Sequence, residues 1–476
     1  MPKKELGFRA AAVIQFCSRY LNVFVQLILT MILARLLTPD EYGVMAVVAV
    51  LVGFFSIISN VGINAAVIQY RDLSDYDCGA LFTFTILVGF VLAAVFCALS
   101  APVSWFYQDE QYLSLLCFTS LSVLFHAANM VPNGVLIRDK QFLIIGFRAV
   151  TVTVLCGVVC VALAFLGFGV YSLAVNSVLN ALLILLWNIV ASKIPVGVLR
   201  FKEQLKLVWK FSLFQFVAQV TQYLIRNLDT LLIGVVLGST PLGFYDKAYK
   251  LAKYPIDIVP STITPVLKSF FSAMQDDVEK LYDSFLRVQK VLSILGVYFS
   301  VVCFFSATEL ILLFFGDQWG QSIAPFSILS LSIYFQMINF TVFSALEALK
   351  RTDFLMRQTL ISGGIMVSSL IVGLLCGTLE SVAIAECVGF VLYTIPVVYY
   401  VIHKAFNRSV VAYLRNFIPE IIAGLVTCVL LMFLCALGLE NMLASLAAKV
   451  LLGIACYVAL LKIMGQTKYL SILKKN

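Results

Sequence analysis

The sequence predicts an all-α polytopic membrane protein with fourteen transmembrane helices, arranged as two parallel sets of six and a C-terminal pair. Three observations carry this expectation. Hydrophobic residues make up 62% of the chain and charged residues 12%, with a mean hydropathy of +1.00, whereas a soluble domain has about 45–50% and about 25%. That leaves too little polar side chain to clothe a water-soluble globule of 476 residues. Apolar runs of about 20 residues recur along the whole chain, the length a helix needs to cross hydrocarbon while satisfying its own backbone. They are unbroken and do not alternate in polarity, which argues against a β-barrel. Finally, Lys and Arg gather in alternate loops, the pattern that sets orientation in a membrane.

The first span, 12–37, carries Arg19, Asn22 and Gln26 and is longer than the apolar core of a cleaved signal, about 7–15 residues. Spans 43–67, 79–100, 112–132, 148–167 and 170–191 complete the first six. The longest basic loop, 193–210, follows and divides the chain. Spans 211–237, 244–267, 291–315, 322–346, 358–377 and 381–402 form the second six, and 417–438 and 443–463 the final pair. The expected organisation is therefore an N-terminal lobe at 1–192, a cytoplasmic linker at 193–210, a C-terminal lobe at 211–402, and appended helices with a tail at 403–476. The eighth span contains Pro255, Pro260 and Pro265, each removing a backbone donor, so it reads either as a bent gating element or as a static kink. Segment 275–290 places Val278, Leu281, Phe285 and Val288 at helical spacing among charges, which predicts an amphipathic connector on the membrane surface.

With Lys3, Lys4 and Arg9 in the cytoplasm, the loops on the opposite side (38–43, 101–111, 238–243, 316–321, 378–380 and 438–442) contain no Lys or Arg. Nearly all other loop cations, including Arg138, Lys140, Lys193, Arg200, Lys202, Lys206, Lys210, Arg287, Lys350, Arg351, Arg408, Arg415, Lys474 and Lys475, fall on the N-terminal side. Both termini are expected in the cytoplasm. The net charge of +8 is mainly this topology signal, since nucleic-acid binding needs a basic soluble face. Trp105, Trp187, Trp209 and Trp319 sit at or near predicted helix ends, as an interfacial belt requires. Eleven of the twelve Cys lie inside predicted spans, and Cys78 lies at a cytoplasmic edge. No disulfide or CxxC metal pair is expected. Cys156 and Cys160, four apart on one helix face, read as small packing residues.

Sliding the chain by 200 residues superposes Thr30, Leu37 and Gly43 on Thr230, Leu237 and Gly243. The helix, break and next helix then coincide, so helices one and two match seven and eight. An even number of crossings per half makes the halves parallel about an axis along the membrane normal.

The stretches LARLLTPDEYGVMA (33–46), DTLLIGVVLGSTPLGFYDKAYKLAKYPIDIVPSTITPVL (229–267) and QDDVEKLYDSFLRVQK (275–290) resemble the multidrug, oligosaccharidyl-lipid and polysaccharide exporter superfamily. More narrowly they resemble its polysaccharide-transporter branch, the bacterial flippases for O-antigen, colanic acid and teichuronic acid repeat units. The resemblance implies two six-helix lobes around a central cavity and alternating access that moves an undecaprenyl-pyrophosphate-linked oligosaccharide outward across the cytoplasmic membrane. It also implies membrane lipids and polysaccharide assembly proteins as partners, and a monomer. Fourteen helices depart from the twelve common in that branch, which leaves the last pair without an assigned role.

An ionisable group at the bilayer centre costs about 2.5–3.5 kcal/mol on insertion scales and so normally faces an interior or aqueous cavity. The charges read as embedded are the cations Arg19, Arg35, Arg226, Lys247, Lys250 and Lys253 and the acids Asp229, Asp246, Asp257, Glu309 and Glu386. Arg19 and Arg35, in a half with no embedded acid in this reading, suit a pyrophosphate because the guanidinium fork matches phosphate oxygens. Arg35 lies near a helix end and could instead snorkel to water. Lys247, Lys250 and Lys253 fall on one arc of helix eight and would present a basic stripe. Arg226 with Asp229, Asp246 with Lys250, and Lys253 with Asp257 could equally be self-neutralising neighbours. Asp229 is the first candidate for coupling to H⁺ or Na⁺, with Glu309 and Glu386 as further candidates that could instead be neutral or locally paired.

A membrane-embedded transferase needs a nucleophile, base or metal constellation, but the chain has only His126 and His403, in different halves. Neither a catalytic site, a bound cofactor nor a metal is expected, and the Asp276–Asp277 pair lacks further ligands. A drug or metabolite exporter of the same superfamily stays open, since fold alone does not name a cargo.

Overall fold

The computed structural model describes residues 8–60, 63–70, 73–195, 219–220, 223–224, 226–272, 274–275, 277–349, 351–466 and 468–469. Most of the predicted linker (196–210, with Arg200, Lys202, Lys206, Trp209 and Lys210), the start of the seventh span (211–218), Lys3, Lys4, Asp276, Lys350, Lys474 and Lys475 lie outside the described residues.

The described residues are helical almost throughout and contain no strand. In chain order the helices are α1 (Phe8–Leu36), α2 (Pro39–Asn60), α3 (Ile63–Gln69), α4 (Asp75–Ala98), α5 (Ser100–Tyr107), α6 (Gln111–Ala128), α7 (Met130–Arg138), α8 (Phe142–Phe165) and α9 (Val170–Ser192). They continue with α10 (226–236), α11 (Ser239–Ser272), α12 (Val278–Phe305), α13 (Ala307–Phe315), a 3₁₀ turn (Asp317–Ser322), α14 (Ile323–Ser330), α15 (Ile333–Asn339), α16 (Val342–Ala348), α17 (Thr352–Leu375) and α18 (Leu379–Val398). A π-helical turn (Tyr399–Ala405), α19 (Val410–Arg415), α20 (Ile418–Ala436) and α21 (Met442–Ile463) complete the chain. Side-chain caps mark several starts: Ser74 and Asp77 exchange hydrogen bonds at α4, and Thr378 and Ser381 do so at α18, each satisfying amides that a helix leaves open.

Eleven of these stretches are long and apolar enough to cross a membrane, or twelve if the bent pair at 317–330 and 333–348 is one span. They correspond to twelve of the fourteen predicted segments. Of the other two, 211–237 is only partly described. The remaining one is α11, a single 34-residue helix whose charges, Asp246, Lys247, Lys250, Lys253 and Asp257, keep it from qualifying by apolarity. It runs unbroken past Pro255, Pro260 and Pro265.

The chain divides into two compact units, Met1–Gly243 and Phe244–Asn476. In the first, α4 packs on α6, α1 and α9 on α8, α9 on α6, and α3 on α7. α10 belongs here because Tyr223, just before it, donates to the Val50 carbonyl at 2.9 Å, and the Leu231 carbonyl accepts from Tyr107 at 3.1 Å. In the second unit α17 packs on α18, and α12 packs on α15, α20 and α21.

The second unit corrects two expectations. Segment 275–290 is not a surface connector, because from Val278 it is the first part of α12. Its apolar side, Leu281 and Phe285, is buried against Val401, Phe406, Tyr413 and Phe417. Helical spacing of apolar residues specifies one covered face, and here protein covers it. Nor does Trp319 belong to an interfacial belt. It is fully buried, 6.0 Å from the Phe244 ring and 6.1 Å from the Phe315 ring, whereas Trp105 is 80% exposed, as a belt residue should be.

Candidate functional site

The repeat read from the sequence reappears in the helix limits. α1 ends at Leu36 and α2 begins at Pro39; α10 ends at residue 236 and α11 begins at Ser239, again 200 residues apart. The two breaks meet. A Cβ on Gly43 would collide with the Ser239 carbonyl, and one on Gly243 with the Pro39 carbonyl, the same collision exchanged between repeats. Those Cβ positions lie 3.1 and 3.2 Å from the other glycine's amide nitrogen. Only a residue without a side chain allows backbones this close. Asp40 accepts hydrogen bonds from the hydroxyls of Ser239 and of Thr240, the latter at 3.0 Å. The first turn of α2 and the first turn of α11 are thus tied by one carboxylate and two hydroxyls, all within the first unit.

On the same unit Arg19 and Arg35 of α1 and Arg226 of α10 are exposed. Asp229, one turn from Arg226, is 8% exposed and accepts from Thr230 Oγ1 at 3.4 Å.

In the second unit the lysines of α11 have different surroundings. Lys247 is 2% exposed, with its Nζ 5.5 Å from the Phe315 and Trp319 rings. Lys250 is largely exposed and pairs with Asp246 at 2.8 Å. Lys253 lies over Tyr249, 5.8 Å from the ring centre. The expected stripe therefore has one enclosed member, one paired member and one half-buried member. Glu386 is buried in α18. Glu309 of α13 is buried, accepting from Lys449 and from Ser445 of α21, the latter at 2.6 Å. Lys449 also donates to the Phe305 carbonyl at 2.8 Å.

Four embedded charges were missed by reading the sequence. Glu420 of α20 receives Lys290 of α12 at 2.9 Å, both essentially without solvent. Lys449 completes the Glu309 pair. Arg148 of α8 is buried and donates to Asn188 of α9 and, at 3.5 Å, to Asn133 of α7; Asn188 in turn donates to Asn129 at 2.7 Å. For three of them the position in the sequence was a signal. Glu420 and Lys449 fall inside predicted spans, Arg148 stands at the limit of one, and Lys290 closes the segment read as a surface connector. Among the described residues no group of three His, Cys, Asp or Glu could hold a metal ion. His126 is half-buried in the first unit and His403 exposed in the second, 5.3 Å from the Tyr399 ring.

Comparison with known proteins fits this arrangement. Over 437 residues the chain is 21% identical to an uncharacterised membrane protein in the cps region of Klebsiella pneumoniae, covering 90% of this chain and 89% of that one. Over 375 residues it is 24% identical to the lipopolysaccharide biosynthesis protein WzxC of Escherichia coli strain K12, covering 76% and 74%. Its fold is similar to that of the lipid II flippase MurJ in an inward closed conformation, with a TM-score of 0.73 at 15% identity over 95% of this chain and 98% of that one. The polysaccharide biosynthesis protein family matches residues 32–324, well over half the chain and including both arms of the glycine crossing. The chain therefore belongs to that family, the polysaccharide-transporter branch of the multidrug, oligosaccharidyl-lipid and polysaccharide exporter superfamily.

Proposed function

We propose that this protein is a flippase that carries an undecaprenyl-pyrophosphate-linked oligosaccharide repeat unit across the bacterial cytoplasmic membrane by alternating access, for surface polysaccharide biosynthesis. The family match over residues 32–324 carries the reading. The names of its relatives, a lipopolysaccharide biosynthesis protein and a lipid II flippase, support it. Exposed Arg19, Arg35 and Arg226 suit a pyrophosphate headgroup better than a cationic drug. In this reading the arginines hold the headgroup, the Gly43–Gly243 crossing closes the outer side, and Asp229 biases the equilibrium through H⁺ or Na⁺. The orientation with both termini cytoplasmic rests on the distribution of Lys and Arg.

The test is transport in proteoliposomes. Fluorescent lipid-linked oligosaccharide should cross at a rate that depends on the protein, while cationic dyes should not. Dye efflux without movement of the lipid-linked sugar would overturn the proposal in favour of drug export.

A further inference from the structure

Helices α4 and α6 run in opposite directions: Gly89 of α4 lies against Leu124 and Ala127 of α6, and eight residues further along α4, Cys97 meets Cys117. Their sulfurs are 3.1 Å apart, about 1 Å more than a disulfide bond. Cys117 Sγ also lies 3.4 Å from the Ser100 hydroxyl and 3.9 Å from the Cys97 carbonyl. Both thiols are partly exposed, unlike Cys78, Cys156 and Cys160, which are buried. The connection between the two helices carries Asp109 and Glu110, and no Lys or Arg occurs between residues 73 and 137. The positive-inside rule therefore puts this hairpin tip outside, in the compartment where disulfides persist.

We propose that Cys97 and Cys117 are a modification site, oxidised to an intramolecular disulfide that staples the outer ends of α4 and α6. The oxidant is a disulfide-carrying thiol oxidant of the extracytoplasmic side. One thiolate attacks the oxidant's disulfide, forming a mixed disulfide and releasing one oxidant thiol. The second thiolate then displaces the other. The S–S bond forms, two protons leave the cysteines, and two electrons reduce the oxidant to a dithiol. The pair could not be read from the sequence, because residues 20 apart on separate helices carry no spacing signal.

The proposal rests on the orientation proposed above, so its test has two arms. Full-length protein in native membranes is acid-quenched, alkylated with N-ethylmaleimide, reduced, labelled with iodoacetamide and mapped by mass spectrometry. The expected result is loss of free thiol at Cys97 and Cys117, both carrying the second label, with Cys156 and Cys160 carrying the first. Cys117→Ser should return Cys97 to the first label. In the second arm, Asp109→Cys is probed in whole cells with a membrane-impermeant maleimide and should react. If it reacts while Cys97 and Cys117 are free thiols, the disulfide is refuted and the orientation stands. If it does not react, the orientation fails and the disulfide proposal with it. Equal oxidation of Cys156 and Cys160 would mark oxidation during handling and also refute the site.

Discussion

Replacing Glu420 with Gln tests whether the last two helices belong to the core of the second unit. Lys290 reaches from α12 to α20, its side chain 5% exposed and that of Glu420 0%. Its ammonium also donates to the Asn416 carbonyl and lies 5.7 Å from the rings of Phe417 and Tyr469. Charges 2.9 Å apart attract by roughly 6 kcal/mol at an effective dielectric of about 20, before desolvation is subtracted. Removing one partner of a buried pair costs about 3–5 kcal/mol, because the other charge is left uncompensated. At about 2–4 °C per kcal/mol for a unit of this size, Glu420→Gln should lower Tm by roughly 6–20 °C. Lys290→Met with Glu420→Gln removes both charges and should recover most of that loss, since replacing a whole buried pair is often neutral. The assay is thermal unfolding of the purified protein in detergent, followed by fluorescence-detected size exclusion. A single variant within about 2 °C of wild type, or a double variant showing the sum of the single losses, would refute a pair that acts as a unit.

Three further outcomes follow from the first unit. Gly43→Ala and Gly243→Ala should impair export alike at normal protein level, because each new methyl meets a carbonyl across the same crossing. An overpacking cost of about 1–3 kcal/mol shifts the closed population roughly 5–150-fold, and surface polysaccharide equal to wild type would remove the crossing from the transport cycle. Arg19→Ala should abolish surface polysaccharide without loss of protein, and Arg19→Lys should restore it only in part because the bidentate fork is missing; full activity of the Ala variant takes Arg19 out of the site. Asp229→Asn, which keeps shape and removes charge, should alter the pH or Na⁺ dependence of flipping in proteoliposomes. An unchanged dependence at wild-type rate makes the buried Asp229 structural.

The features legible in the sequence were those set locally. About 20 apolar residues force a helix wherever they occur in a bilayer, so the spans from 12–37 to 443–463 could be drawn with no knowledge of neighbours. The repeat was legible for a related reason: Gly43 and Gly243 fall 200 residues apart just after matching helix breaks, and each permits a backbone approach through its own lack of a side chain. Features that depend on a distant partner were not legible. Glu309 reads from the sequence as an ion-coupling candidate that could instead be neutral or locally paired, and the pair it makes is not local. Its partner Lys449 is 140 residues away. Lys290 looked like the end of a surface helix because the period of Val278, Leu281 and Phe285 is the same whether headgroups or Phe406 and Tyr413 cover it.

The surroundings of each embedded charge bear on which of them a cargo could use. A charge inside a span must be solvated somehow, and several solutions occur in this protein, a buried ion pair and exposure among them. Lys290, Glu420, Glu309 and Lys449 are satisfied within the second unit, and a ligand would have to break those pairs to use them, at about 3–5 kcal/mol each. Arg19, Arg35 and Arg226 are instead exposed. Arg19 and Arg35 on α1 and Arg226 on α10 are exposed cations of the first unit, and positive charge of this kind attracts phosphate and repels organic cations. This exposed positive charge is the reason the proposed lipid-linked anion is preferred to a cationic drug as cargo, and normal transport by Arg19→Ala would remove that reason.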